Sequence, residues 1–414
     1  MELRTKYQYT YFIYPYLIDE KKYNNYIYQL LKNKKCQLKW FNRKKNVEID
    51  SYFLPEIKEN IFWTINSCND SIKEYEKLDT RMQANILTKK KCNIFEYKLE
   101  KDIPGKIIEK DGIFFDITKV EIICFNTGIC FLLFKTVLND VNNFSDVLNF
   151  NYKFKNINSK IEKNIEYDNI KIQTSKLNNM QYFSELIKEI AGKNILANKI
   201  NLDTEQLITY SYVCLEQSSW NEDTNLKLIE KEFEKYRKVK PADEPMNDAI
   251  LKEQSIYKEK YLYYGISSNS SVLLTCDNNI KNYTTLMFKY ENELLYHYII
   301  SLHKKIYLKK LNFVFSKTKK FKNIKTKFLE FAKKDWIFEI TNDDFGKIIE
   351  KLYMQDQNID GIFLKIKQQY DLYYKENEIT KNKKYKKWVM IIIISILILN
   401  IVTIIISIKN KSAF

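Results

Sequence analysis

The run Trp388-Val389-Met390-Ile391-Ile392-Ile393-Ile394-Ser395-Ile396-Leu397-Ile398-Leu399-Asn400-Ile401-Val402-Thr403-Ile404-Ile405-Ile406-Ser407-Ile408 decides how the rest of this 414-residue chain is read. Its twenty-one residues carry no charge. At about 1.5 Å per residue, a helix of that length reaches roughly the 30 Å of a bilayer's hydrocarbon core. Lys381, Lys383, Lys384, Lys386 and Lys387 precede it, whereas only Lys409 and Lys411 follow. A lysine excess holds its flank in the cytoplasm. The expectation is a single-pass protein of the cell membrane, with its N-terminal body in the cytoplasm and a short tail at 409–414. Trp388 stands where an interfacial aromatic anchors, so Lys383, Lys384, Lys386, Lys387 and Trp388 are the expected membrane-surface residues. A buried core helix is the alternative; the length, all-round apolarity and abrupt ends of the run argue against it.

The 387 residues before the run are ample for a sizeable core and for two or three compact units. Met1 to Lys6 is polar and charged, unlike a secretory signal. Seven scattered cysteines, Cys36, Cys68, Cys92, Cys124, Cys130, Cys214 and Cys276, include no C-x-x-C pair and suit reduced, packed thiols in the cytosol. The net charge of +16 invites a nucleic-acid reading. Yet among 68 basic residues only Arg4, Arg43, Arg81 and Arg237 are arginine, the side chain that phosphate and guanine recognition favours. Nucleic acid is therefore an unlikely partner, and attraction of the lysines to an anionic inner leaflet is the simpler use of the charge.

Tyr7, Tyr9, Tyr11 and Ile13 alternate as a strand does. Tyr23, Tyr26, Ile27, Leu30 and Leu31 then fall at helical spacing, and Cys36, Leu38 and Trp40 alternate again, giving a β-α-β opening. A short helix is expected around Glu56–Ile65, a strand near Asn93–Leu99 and a turn at Pro104-Gly105. Two apolar runs, Val120–Phe125 and Ile129–Val137, flank Asn126-Thr127-Gly128, whose residues favour a tight hairpin turn. Being apolar on both faces, these strands belong at the centre of a sheet. A helix or loop starts at Ser145–Asn149, and the Lys/Asn-rich stretch Asn151–Ser175 reads as a surface excursion. Ile208–Cys214 reads as a strand, followed by a helix with Leu226, Ile229, Phe233 and Tyr236 on one face. Lys238–Asp248, with Pro241 and Pro245, is the best linker candidate. Tyr261–Tyr264 and Val272–Cys276 read as a strand pair.

Beyond Cys276 helices take over. Met287–Ser316 is expected as one long helix carrying Leu294, Leu295, Tyr298, Leu302 and Ile306 on a face. Ile324–Ile340 is a second, and Asn342-Asp343-Asp344 caps a third. Ile359, Phe363, Ile366, Tyr370 and Tyr373 recur at the 3.5-residue spacing of a coiled-coil seam. That helix can run through the lysines into the membrane without a break. The expected fold is α+β: a mixed α/β region at 1–200 with an antiparallel hairpin, a second α/β segment at 201–280, long antiparallel helices and a stalk at 281–387, and one transmembrane helix at 388–408.

Familiar catalytic constellations are missing. Seven glycines form no phosphate-binding loop. His297 and His303, six residues apart, point to different sides of a helix and read as packed or surface histidines rather than metal ligands. Cys124 and Cys130 read as core, and Asp343 with Asp344 as a helix cap. No cofactor or metal is expected, and no enzyme of a motif-defined class. Within the span, Asn400, Thr403 and Ser407 lie within roughly 60° of one another on the helix wheel. Polar groups in hydrocarbon tend to face a partner helix or a water-filled path. They are the candidate pore or helix-contact stripe, unless the hydroxyls bond their own helix and Asn400 merely joins two helices.

The order of parts resembles the CorA-type magnesium transporters. That family has a cytosolic α/β domain, long antiparallel helices, and a stalk running into a first membrane helix that lines the pore of an oligomer. Met287–Ser316, Ile324–Ile340 and Asp343–Trp388 look like the long helices and stalk, and Trp388–Ile408 like the membrane helix. The family's Gly-Met-Asn signature and second membrane helix are not present in this sequence, so no metal site is carried over. The resemblance implies an oligomer whose cytosolic domains gate the membrane part. With the seam-bearing helix running into a polar-striped span, the leading expectation is a homo-oligomer that receives a small-molecule or protein signal and conducts ions or perturbs the membrane, in transport or as a defence effector. The alternative is a tail-anchored binding or scaffold protein that localises a recognition domain to the lipid bilayer.

Overall fold

The alternation at Tyr7 forms β1 (Thr5–Leu17) in the computed structural model, which describes residues 2–62, 69–108, 112–139, 141, 143–156, 170–173, 181–192, 206–221, 224–245, 255–317, 321–334 and 339–411. Successive strand side chains point to opposite faces. Tyr9, Tyr11 and Ile13 accordingly enter one buried cluster, and Phe12 and Tyr16 the other. β1 pairs antiparallel with β6 (Ile129–Leu138) on one side and β9 (Ile208–Leu215) on the other. The remaining strands are β2 (Cys36–Leu38), β3 (Cys92–Tyr97), β4 (Ile103–Ile107), β5 (Ile113–Phe125), β7 (Ile170–Ile172), β8 (Gln181–Tyr182), β10 (Ile256–Glu259), β11 (Leu262–Ser267) and β12 (Ser270–Cys276). All twelve join one mixed sheet in the order β10-β11-β12-β9-β1-β6-β5-β4-β7-β8, with β3 also on β5 and β2 on β3. Only β9 and β12 run parallel among the described pairs. The sheet thus passes without interruption from strands before residue 200 to strands after it.

Helices cover both faces, as a sheet buried on both sides requires. The Phe12 face carries α1 (Tyr23–Lys32), α4 (Asn69–Glu76), α5 (Thr80–Thr88), α6 (Phe144–Lys155), α7 (Phe183–Ala191) and α8 (Leu226–Lys238). The Tyr9 face carries α2 (Val47–Tyr52), α3 (Pro55–Ile57), α9 (Ile280–Tyr283), α10 (Thr285–Lys289), α11 (Leu295–Lys317), α12 (Phe321–Lys334), α13 (Asp344–Asp356) and the start of α14 (Ile359–Lys411). Leu294, Leu295, Tyr298, Leu302 and Ile306 are all buried in the cluster on the Tyr9 face, and each large side chain so buried contributes roughly 1.5–3 kcal/mol. The fold class is α+β, as the patterning indicates.

The central hairpin forms as expected. Cys124 pairs with Cys130, and Gly128 takes φ +77 in the three-residue turn between them. A Cβ at Gly128 would lie 2.3 Å from the Ile18 carbonyl oxygen, so only glycine closes this turn against β1's end. Both cysteines are buried and free. Asp343 caps α13, accepting from the Gly346 N–H at 2.8 Å.

Other expectations need correction. Pro104-Gly105 is not a turn but lies within β4, where the Phe115 ring would come within 2.2 Å of a Cβ at Gly105. Glycine there admits a crossing ring, and exposed Pro104 withholds only a donor. The strand Cys36–Leu38 follows α1 as expected, and its sheet partner is β3. Asn151 and Phe154, assigned to a surface excursion, are buried on α6. The Asn151 amide bonds Ser211, and its carbonyl accepts from Thr10, which fastens the helix to the sheet. Residues 157–169, 174 and 175 of that stretch lie outside the described residues. The described part of Lys238–Asp248 is no free linker: the Ala242 N–H donates to Asn149 and Lys155 donates to the Val239 carbonyl. Met287–Ser316 is not uniformly α-helical, because a π-turn at Tyr290–Leu294 separates α10 from α11. Ile340 is not in a helix either. Its N–H donates to Glu350 and its carbonyl accepts from Leu54, so the backbone here pairs with other segments.

Candidate functional site

The seam predicted from 3.5-residue spacing is occupied within this chain. Ile359 and Ile366 are fully buried, and Phe328 of α12 packs on Phe363 and Tyr370, with ring centroids 5.6 and 5.8 Å apart. α14 is 53 residues long and has no break. Every described side chain from Tyr374 to Ile406 is exposed. Residues 374–387 therefore form a bare helical rod of roughly 21 Å between the last packed turn and Trp388, from about 1.5 Å per residue. Lys383, Lys384, Lys386 and Lys387 are all exposed on it, and Trp388 is 65% exposed. At about 100° per residue these four lysines fall within an arc of about 160°, a broad basic face just ahead of the apolar run.

Among the described residues, α14 is the one helix long and apolar enough to cross a membrane, and none of its apolar window is buried. The expected stripe is placed along it. Ser395 donates to the Ile391 carbonyl at 2.9 Å, and Thr403 to the Leu399 carbonyl. These hydroxyls thereby satisfy themselves within the helix. Asn400, one turn before Thr403, is exposed and has no such internal partner. Ser407 lies on the same helix, but its side chain is outside the described residues.

The interior between α11 and the sheet is more polar than the sequence suggested. Glu121, fully buried on β5, accepts from Lys39 at 2.6 Å and lies 3.4 Å from Lys119. Burial alone would raise its carboxyl; Lys39 and then Lys119 more than reverse that and hold it down at about 2. Lys39 also donates to the Tyr296 hydroxyl of α11 at 2.7 Å. Beside it, Glu291 of the π-turn accepts from Lys135 at 2.8 Å and Tyr11 at 2.9 Å. A register shift in β5 between Ile117 and Lys119 and the π-turn converge here, re-aiming Lys119 and Glu291 toward one another's neighbourhood. The signal in the sequence was a lone glutamate inside the apolar run Val120–Phe125.

His297 and His303 are both packed, as their spacing suggested. His297 Nδ1 lies 2.8 Å from the Tyr52 hydroxyl, and burial, reinforced by Lys304, pushes the ring down to about 3. His303 Nε2 lies 2.9 Å from the Thr127 hydroxyl, and its ring stacks on Phe125 at 3.9 Å. Among the described residues no group of His, Cys, Asp and Glu side chains could hold a metal ion.

Fold and site together define a class: an α+β body with helices on both faces of one sheet, joined by an unbroken helix to a segment able to cross a membrane. No protein-family model, curated protein or solved structure matches this chain.

Proposed function

We propose that this is a membrane-anchored, oligomeric protein of CorA-like design, whose cytosolic body controls a bundle of single-pass spans. One observation carries the reading: α14 begins as a packed element of the body and continues, unbroken, through the rod into the apolar segment. A rigid helix transmits displacement or rotation of its packed end, whereas a jointed linker would absorb it. Asn400, exposed amid hydrocarbon-facing residues, supplies the polar contact between spans. Ion conduction or membrane perturbation is the output. Purified full-length chain in liposomes should pass ions, and the variant Asn400→Leu/Thr403→Leu/Ser407→Leu should lose that flux. Liposomes that stay tight with the natural sequence, or leak equally with the variant, remove the pore.

A second reading is favoured by the hydroxyls of Ser395 and Thr403, which bond within their own helix rather than facing a lumen. In it, the span only localises the body, a binding or scaffold module, to the bilayer. An unrelated apolar anchor substituted for 388–408 preserves function in that case and abolishes it in the first.

A further inference from the structure

Between its packed root and its apolar segment, α14 presents Lys383, Lys384, Lys386 and Lys387, all of them exposed. Glu378 is the last acidic residue of the sequence. On a helix an acid serves a lysine three or four residues along, so Glu378 reaches Lys381 but none of these four. The helix that carries this charge therefore does not neutralise it.

Depth singles out the same four lysines. The head-group layer of a bilayer is roughly 5–7.5 Å thick on each side of the hydrocarbon. At about 1.5 Å per residue, Lys387 to Lys383 stand about 1.5–7.5 Å ahead of Trp388, within that layer, whereas Lys381 stands about 10 Å ahead of it. Trp388, 65% exposed, is the amphipathic ring that the boundary of such a layer favours.

Direction adds a second constraint. At about 100° per residue, the centre of the basic face lies about 150° from the stripe of Asn400, Thr403 and Ser407 on the same unbroken helix. Copies that meet along that stripe turn these lysines outward, to the surrounding lipid. Turned inward, the lysines would crowd like charges around the axis of the bundle.

We propose that this face is a docking site for anionic phospholipids of the cytoplasmic leaflet, with Lys383, Lys384, Lys386 and Lys387 holding the phosphate-bearing head groups and Trp388 marking the hydrocarbon boundary below them. The site rests on the reading of α14 as membrane-spanning and adds the lipid that the span selects. An ammonium is a compact point charge without the planar fork of arginine. The face therefore selects net negative charge, phosphatidylglycerol or phosphatidylserine over phosphatidylcholine, and not one head-group shape. Lipid held on one side of the helix also fixes the rotation of the span about its own axis, with the polar stripe turned away from lipid.

The test reconstitutes the full chain in mixed bilayers of phosphatidylcholine and phosphatidylglycerol, with bromine on the acyl chains of one lipid or the other. Bromine quenches tryptophan on near contact, and the part of the quenching that Trp388→Phe removes belongs to Trp388. Phosphatidylglycerol should take the places beside Trp388 about threefold more readily than phosphatidylcholine at low salt, and this preference should vanish near 1 M salt, where the Debye length is about 3 Å. The variant Lys383→Gln/Lys384→Gln/Lys386→Gln/Lys387→Gln should lose the preference, and Lys381→Gln should keep it. Equal quenching by the two lipids, or a preference that survives high salt or the fourfold substitution, overturns the lipid site and leaves the span in place. Quenching by neither lipid overturns the span itself, and the site with it.

Discussion

Glu121 offers the sharpest test of how the body is held together. It is 1% exposed, with Lys39 at 2.6 Å and Lys119 at 3.4 Å, and through Lys39 it reaches Tyr296 of α11. Replacing it with glutamine keeps the shape but leaves two largely buried ammonium groups without a carboxylate. Breaking a buried pair in this way costs about 3–5 kcal/mol. An independent route gives a similar size: lowering a carboxyl from 4.5 to about 2 corresponds to about 3 kcal/mol, at 1.36 kcal/mol for each tenfold change. The folded value is depressed, so this stabilisation is complete above pH 4.5 and disappears as pH falls through about 2. Urea unfolding followed by tryptophan fluorescence should show Glu121→Gln losing about 3 kcal/mol at pH 7, a midpoint fall of roughly 1 M or more. The natural chain should lose the same increment between pH 4.5 and 2, and the variant should lack that acid arm. The apolar triple Glu121→Leu/Lys39→Met/Lys119→Leu should recover most of the loss. A Glu121→Gln variant within about 1 kcal/mol of the natural chain at pH 7 would refute the reasoning.

Two further outcomes follow from single positions. Gly128→Ala forces a side chain into φ +77 and against the Ile18 carbonyl, and should lower stability by about 1–3 kcal/mol, read as a fall in the thermal midpoint. Glu293 is raised to about 7, by burial first, so its contribution favours folding below pH 4.5 and is lost as pH rises through 7. Glu293→Gln should therefore stabilise the protein by about 3 kcal/mol at pH 8 and leave it unchanged at pH 4, in paired denaturant titrations.

Much of the fold was legible because its signals are local. Alternation in residues 7–13 and 208–214, helical spacing in 226–236, the Asn126-Thr127-Gly128 turn and the Asp343 cap each depend on a few neighbouring residues, and each forms where expected. Where the local signal misled, a distant partner had overruled it. Pro104-Gly105 looks like a turn until Phe115 crosses it, and Ile340 looks helical until Leu54 and Glu350 take its backbone groups. The polar stretch at Asn151 looked exposed because nothing nearby in sequence names Thr10 and Ser211 as its partners.

The sequence by itself determined that one C-terminal segment is apolar and long enough to cross a membrane, that lysines cluster just before it, and that no helix-breaking residue parts it from the shaft before it. Composition and periodicity are enough for this, because hydrocarbon thickness and helical rise are fixed lengths. Only the tertiary structure decided what the coiled-coil spacing of Ile359–Tyr370 is for. Those residues pack on α11 and α12 of the same chain, because the nearest apolar surface lies there. Only the fold, too, brings Lys39, Lys119 and Tyr296 to Glu121. Such meetings depend on strand order and helix placement, which short-range pattern does not encode.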